Sequence, residues 1–93
     1  MLKNVQEASE SPLMKPDTWT VADLKPGEGG VIDRIDAALS LRQRLNAMGV
    51  VRGKEILLEH TAPMGDPRIY TILGYQLSLR NEEARKIVLQ RTE

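Results

Sequence analysis

Residues 41–85 read LRQRLNAMGVVRGKEILLEHTAPMGDPRIYTILGYQLSLRNEEAR, and this stretch decides the fold. It opens as a helix. Leu41, Leu45 and Met48 stand at i, i+4 and i+7 and share one face, while Arg42, Gln43 and Asn46 fall toward water. Gly49 takes the position just past the helix end, where a left-handed residue stops the chain without a Cβ penalty. Just upstream, Ser40 and Gln43 match a capping box, in which the serine oxygen accepts an amide hydrogen and the glutamine reaches back.

Beyond Gly49 the period changes from helix to strand. Val50-Val51-Arg52-Gly53 reads as a tight turn. Residues 54–61 read as a strand, with Ile56, Leu58 and His60 on one face and Leu57, Glu59 and Thr61 on the other. Residues 62–67, APMGDP, form a short stiff loop. Residues 68–73 are the next strand, turned by Gly74. Tyr75, Leu77 and Leu79 then alternate with Gln76, Ser78 and Arg80, the pattern of a half-buried strand. Asn81 is placed as the N-cap of a one-turn helix, with Glu82 and Glu83 at its positive end, and residues 87–89 close as a last strand.

On the N-terminal side, Lys25-Pro26-Gly27-Glu28 is a turn signal, because proline presets φ and glycine accepts a positive one. Gly29 and Gly30 precede a strand over residues 31–35, and paired glycines there predict a bulge or tight bend. Residues 20–24 fit a short helical turn. Residues 1–17 are polar, carry Pro12 and Pro16 and show no sustained period, so they are expected to be a flexible tail ahead of a domain over 18–93. About five short strands, one helix and closely spaced turns give a mainly β fold, a small barrel more than a sandwich.

The chain has 93 residues, which fits one domain. Thirteen basic residues balance thirteen acidic ones, which argues against a general nucleic-acid binder. Trp19, Tyr70 and Tyr75 are too few aromatics for a base-stacking platform. The balance is not local: residues 25–54 hold six basic side chains against three acidic ones. There is no cysteine, which removes disulfides, zinc thiolates and thiol catalysis and fits a reducing compartment. No secretory signal and no apolar run near the ~20 residues of a membrane span are visible, so a soluble, cytoplasmic protein without membrane insertion is expected.

Catalytic chemistry finds little to stand on. No Ser–His–acid arrangement is evident, and Ser40 is better used as a cap. Gly27-Glu28-Gly29-Gly30 lacks the lysine and the helix of a phosphate-binding loop. Asp33 and Asp36 read as a solvated pair. His60 is the sole histidine. It is a weak metal candidate, since Glu55, Glu59 and Asp66 are not spaced to complete a coordination set around it. No catalytic residue and no cofactor are assigned. What remains is contact. An apolar knuckle of Met48 and Val50 sits beside Gly49, flanked by Arg44 and Arg52, and Met64 and Asp66 mark the stiff loop. Together with Arg42 these are the candidate partner-binding residues.

The order of these pieces resembles the ferrous-iron transport protein A (FeoA) family. The matching residues are Leu24-Lys25-Pro26-Gly27-Glu28 at the entry, then Leu45, Met48-Gly49 and Arg52-Gly53 around the helix end. Ala62-Pro63-Met64-Gly65-Asp66-Pro67 matches the loop, and Gly74-Tyr75-Gln76-Leu77-Ser78-Leu79-Arg80 with Glu83-Ala84 matches the closing hairpin and turn. The resemblance covers roughly residues 18–91, and the N-terminal extension is longer than the family core. It implies an SH3-like barrel with an inserted helix. It also implies a non-enzymatic accessory protein that binds and modulates the FeoB-type GTP-dependent iron permease through its cytosolic region, and that is recruited to the inner membrane by that partner. A similarity to the C-terminal barrel of iron-dependent repressors implies a second expectation, a metal-responsive module needing a divalent ion on His60. Exposed edge strands of small barrels leave homo-oligomers open.

Overall fold

The computed structural model describes residues 19–90; the expected tail over 1–17 and the start of the domain at Thr18 lie outside the described residues. A 3-10 turn over Val21–Asp23 is followed by β1 (Gly29–Ile35), α1 (Leu39–Ala47), β2 (Glu55–Thr61), β3 (Arg68–Ile72), β4 (Tyr75–Leu79), α2 (Asn81–Ala84) and β5 (Ile87–Leu89). All strand pairs are antiparallel, and the five strands run in the order β4-β3-β2-β1-β5. Strand β1 carries the curvature. Its first residues, Gly29, Gly30 and Val31, pair with β2, whereas Ile32, Arg34 and Ile35 pair with β5. The strand thus bends from one neighbour to the other, with a bulge between Ile32 and Arg34.

That bulge falls later than Gly29-Gly30, where the sequence predicts it. The glycines themselves pair regularly with Leu57 and Ile56. Gly30 is needed for another reason: a Cβ there would lie 2.9 Å from Leu89 Cδ1, so the bare backbone lets β5 pack close. The outer edge of β5 is covered by the entering chain. Leu89 N–H donates to Trp19 O at 2.7 Å, and Thr20 bridges to Val88.

The core is aliphatic. Ile32, Leu45, Val50, Ile56, Leu58, Ile72, Leu79, Ile87 and Leu89 are buried around one large polar-tipped side chain, Tyr70. The Tyr70 hydroxyl donates to Val21 O at 3.0 Å and accepts from Arg68 Nε at 2.9 Å, while Arg68 Nη2 also donates to Leu24 O. This pins the 3-10 turn and the entry to the 25–28 turn onto β3. The 25–28 turn forms as predicted: Glu28 N–H donates to Lys25 O at 2.8 Å and Gly27 has φ +89°.

Both helix starts differ from expectation. Helix α1 begins at Leu39 with Ala38 as N-cap, so Ser40 lies inside the helix and its hydroxyl caps nothing. Helix α2 has Arg80 as its N-cap, and Arg80 N–H donates to Glu83 Oε1 at 3.0 Å. Asn81 is otherwise engaged: its N–H donates to Asp66 Oδ1 at 3.0 Å and its side-chain amide to Gly65 O at 3.2 Å. Strand β3 ends at Ile72, one residue before the predicted limit. Leu73 and Gly74 form a two-residue turn in which both have positive φ, +54° and +84°.

Candidate interaction surface

The seven candidate contact residues do not form one patch. Helix α1 divides them. At 100° per residue, Arg42 and Asn46 lie on one flank, Arg44 and Met48 on the other, and Leu41 and Leu45 face the core between. The structure realises this division as two grooves. On the first flank, Arg42 meets Arg34 of β1 and Arg52 of the 51–54 turn over a floor of Ile32, Ile35 and Val51, enclosing about 350 Å³. On the second flank, Arg44 and Met48 meet Pro67, Leu79, Arg80 and Glu83 around about 380 Å³.

Arg52 reaches its groove because its turn is stitched to β1. Gly53 N–H donates to Ile32 O at 2.8 Å, and Ile32 N–H donates to Lys54 O at 2.9 Å. Arg34 is engaged with Asp33 at 3.0 Å and Asp36 at 3.2 Å, and Arg52 Nη2 lies 3.7 Å from Asp33. The acidic pair read from sequence is thus held in an arginine cluster. Arg44 is paired with Glu83. Burial alone would push the Glu83 carboxyl up, but the Arg80 N–H and the Arg44 guanidinium outweigh it and hold the carboxyl below its usual range.

Val50 is a correction. It is 0% exposed and cannot touch a partner. The cause is the helix terminus: Gly49 (φ +93°) donates to Asn46 O at 3.0 Å and Val50 N–H to Leu45 O at 3.0 Å, a complete Schellman motif. That motif sets the residue after the glycine against the one three positions before the cap, here Val50 with buried Leu45. Met48 is half-buried against the core and still lines the second groove.

His60 is a second correction. The expected face of Ile56, Leu58 and His60 breaks at a bulge between Leu58 and His60, so the imidazole is exposed and does not share the burial of Ile56 and Leu58. Among the described residues, no group of three or more His, Cys, Asp or Glu side chains is placed to hold a metal ion. Met64, by contrast, stands at 92% exposure on the tip of the 62–67 loop. Gly65 N–H to Ala62 O (2.7 Å) and Ala62 N–H to Pro67 O (2.9 Å) close that loop, and Asp66 is its tie to Asn81 of α2.

Sequence reasoning missed three exposed apolar side chains, Leu39, Leu73 and Tyr75. Leu73 and Gly74 border a further groove of about 640 Å³ with Gly27, Gly29 and Leu57. The signal for Leu73 was available: two strand patterns separated only by Leu73-Gly74 leave no other residues for the turn.

A curved five-stranded antiparallel sheet with one inserted helix and grooves on its surface defines the class, a small mainly β barrel. Residues 19–91 match the FeoA domain family, and the chain belongs to it. Over 70 residues, 75% of this chain, it is 39% identical to an Fe(2+) transport protein A/Fe(2+) transporter FeoB fusion protein of Porphyromonas gingivalis. The chain spans 8% of that relative's length. The solution structure of a FeoA-like protein from Clostridium acetobutylicum superposes with a TM-score of 0.72 at 34% identity, covering 78% of this chain and 85% of the other. A zinc complex of Stenotrophomonas maltophilia FeoA, described as an SH3 domain protein, shares the fold with a TM-score of 0.69 at 24% identity, over 77% and 89% of the two chains. The family is one of ferrous-iron transport, and the mainly β, SH3-like fold expected from sequence is the fold observed. Among the described residues, no helix is long and apolar enough to cross a membrane.

Proposed function

We propose that this chain is a non-enzymatic accessory protein of ferrous-iron uptake. It acts in the cytoplasm by binding the cytosolic region of a FeoB-type GTP-dependent permease and modulating it, and that contact recruits it to the inner membrane. The observation that carries this reading is the fused relative, in which a segment 39% identical to this chain shares a polypeptide with a FeoB transporter. Fusion raises the effective concentration of one module at the other, which is useful where the two must meet. The barrel supports the reading physically. Met64 is held out on a loop closed by backbone hydrogen bonds, so docking orders little free backbone. The mechanism needs neither a cofactor nor a resident metal, because contact is the whole of it.

The test is capture of the purified cytosolic region of the permease from the same organism by the immobilised 93-residue chain, with an unrelated cytosolic domain as control. Saturable, selective capture is expected, and it weakens on Met64→Ser. A folded wild-type chain that captures no permease overturns the reading.

A further inference from the structure

The first groove has a chemistry the other two lack. The second groove sets one carboxylate, Glu83, beside two guanidinium groups; Arg44 is paired with it, which leaves Arg80 as the single unpaired cation there among the described residues. The groove beside Leu57 and Leu73 has Glu55 as its one charged lining residue. Around the first groove, three guanidinium groups (Arg34, Arg42, Arg52) face two carboxylates (Asp33, Asp36), and both carboxylates are engaged by Arg34. Arg52 makes one long contact, 3.7 Å to Asp33, with its side chain 76% exposed. Arg42 makes no ion pair among the described residues and reaches only Ala37 O, at 3.5 Å. Beneath them lies the apolar floor of Ile32, Ile35 and Val51. Three of the six basic residues of 25–54 are thus gathered on one groove of a chain with no net charge.

We propose that this groove is the docking slot for an acidic segment of the protein partner. The segment sets one aliphatic side chain against Val51 and the exposed edge of Ile35, above buried Ile32, and presents flanking carboxylates to Arg42 and Arg52. Guanidinium groups take carboxylates through paired, charge-assisted hydrogen bonds. The apolar floor selects a peptide over a bare phosphate or a nucleic-acid backbone, which would cover it without using it. The proposal rests on the partner reading in one respect: the segment belongs to the permease's cytosolic region.

The probe is a fluorescein-labelled peptide, Glu-Glu-Leu-Glu-Glu, titrated with the full chain and read by anisotropy. Saturable binding is expected, weakened by about tenfold in the double variant Arg42→Glu/Arg52→Glu. It is weakened also by glycine in place of the peptide leucine, and by added salt. The peptide change leaves the protein untouched, so the slot is tested even if the double variant folds poorly. Binding that ignores both changes overturns the proposal, as does equal binding of a thymidine oligonucleotide of the same charge. Loss of permease capture by the folded double variant supports it. Capture that survives the double variant overturns the slot and leaves the partner reading intact. Peptide binding in the slot with no capture by the wild-type chain overturns the partner reading and the source assigned to the segment.

Discussion

Replacing Tyr70 by phenylalanine tests the reading of the core at its one polar point. The substitution keeps the ring and removes the hydroxyl alone. Two hydrogen bonds go with it, the donation to Val21 O at 3.0 Å and the acceptance from Arg68 Nε at 2.9 Å. Val21 is buried, so its carbonyl loses a partner that water replaces poorly and keeps only the longer bond from Leu24 N–H, at 3.3 Å. A neutral hydrogen bond contributes about 1 kcal/mol net and one to a charged group somewhat more. Arg68 is only half-buried and keeps Leu24 O, which discounts the second bond. The expected cost is about 2 kcal/mol, or a fall in Tm of roughly 8–16 °C for a domain of this size. Urea unfolding should give the same number with an unchanged slope. Arg68→Met in the same background should cost less than in the wild type, because the pair acts as a unit. Burial raises the Tyr70 pKa and Arg68 partly opposes it, so the folded value lies above the ordinary 10.0. A raised folded value means stability is full below pH 10.0 and is lost as pH climbs through the folded value. That alkaline component should be absent in the phenylalanine variant. A loss under about 0.5 kcal/mol would refute the claim that this hydroxyl anchors the entering chain.

Val50→Ala should cost about 2 kcal/mol in chemical denaturation, with permease capture changed only in proportion to the unfolded fraction. A larger effect on capture than on stability would restore Val50 as a contact. Gly49→Ala and Gly53→Ala share a positive φ, +93° and +89°, and each should cost about 1–2 kcal/mol. Only at Gly49 does the new Cβ meet a neighbour, Leu73 Cδ1 at 2.6 Å, so the difference between their measured stabilities reports how firmly the β3–β4 turn rests on the helix end. Glu83→Gln should cost about 0.5–1 kcal/mol at pH 7. Because the folded carboxyl titrates below its ordinary 4.5, its contribution is present above that pH and is lost as pH falls through the folded value, so wild type and variant should converge in acid. Met64→Ser should leave Tm unchanged by scanning calorimetry, since the side chain is 92% exposed.

The parts of the fold legible in the sequence are those written by local chemistry. Pro26-Gly27 specifies its turn, Gly49 ends its helix, and the alternation of Leu77 and Leu79 marks β4. Each depends on residues a few positions apart. The bulges at Ile32/Arg34 and at Leu58/His60 leave no such trace. One extra residue in a strand changes no composition, yet it moves every later side chain to the other face and carries His60 into water. The caps failed for a related reason. Asn81 is a good N-cap by type, but its amides are committed to Gly65 and Asp66, which lie 16 and 15 positions away in the chain. Long-range contacts outrank local preference, and a single sequence does not display them.

The surface was legible only as an inventory. The excess of basic residues between 25 and 54 can be counted, and helical geometry alone separates Arg42 from Arg44. What the sequence withholds is which flank gains a third arginine. That depends on β1 leaving β2 for β5 at Ile32, and on the 51–54 turn being held to the same residue by Gly53 and Lys54. Ile32 is therefore the hinge of the surface as well as a member of the core. Its backbone positions the turn that carries Arg52, and its side chain floors the groove. Helix α1 owes its placement to the same economy. The Schellman turn buries Val50, and burying Val50 fixes the angle at which the chain departs toward Arg52. Shortening Val50 to alanine keeps both backbone bonds of that turn, so it should lower stability and leave the arginine cluster in place in the folded protein, as should a change at Met64 on its separately closed loop.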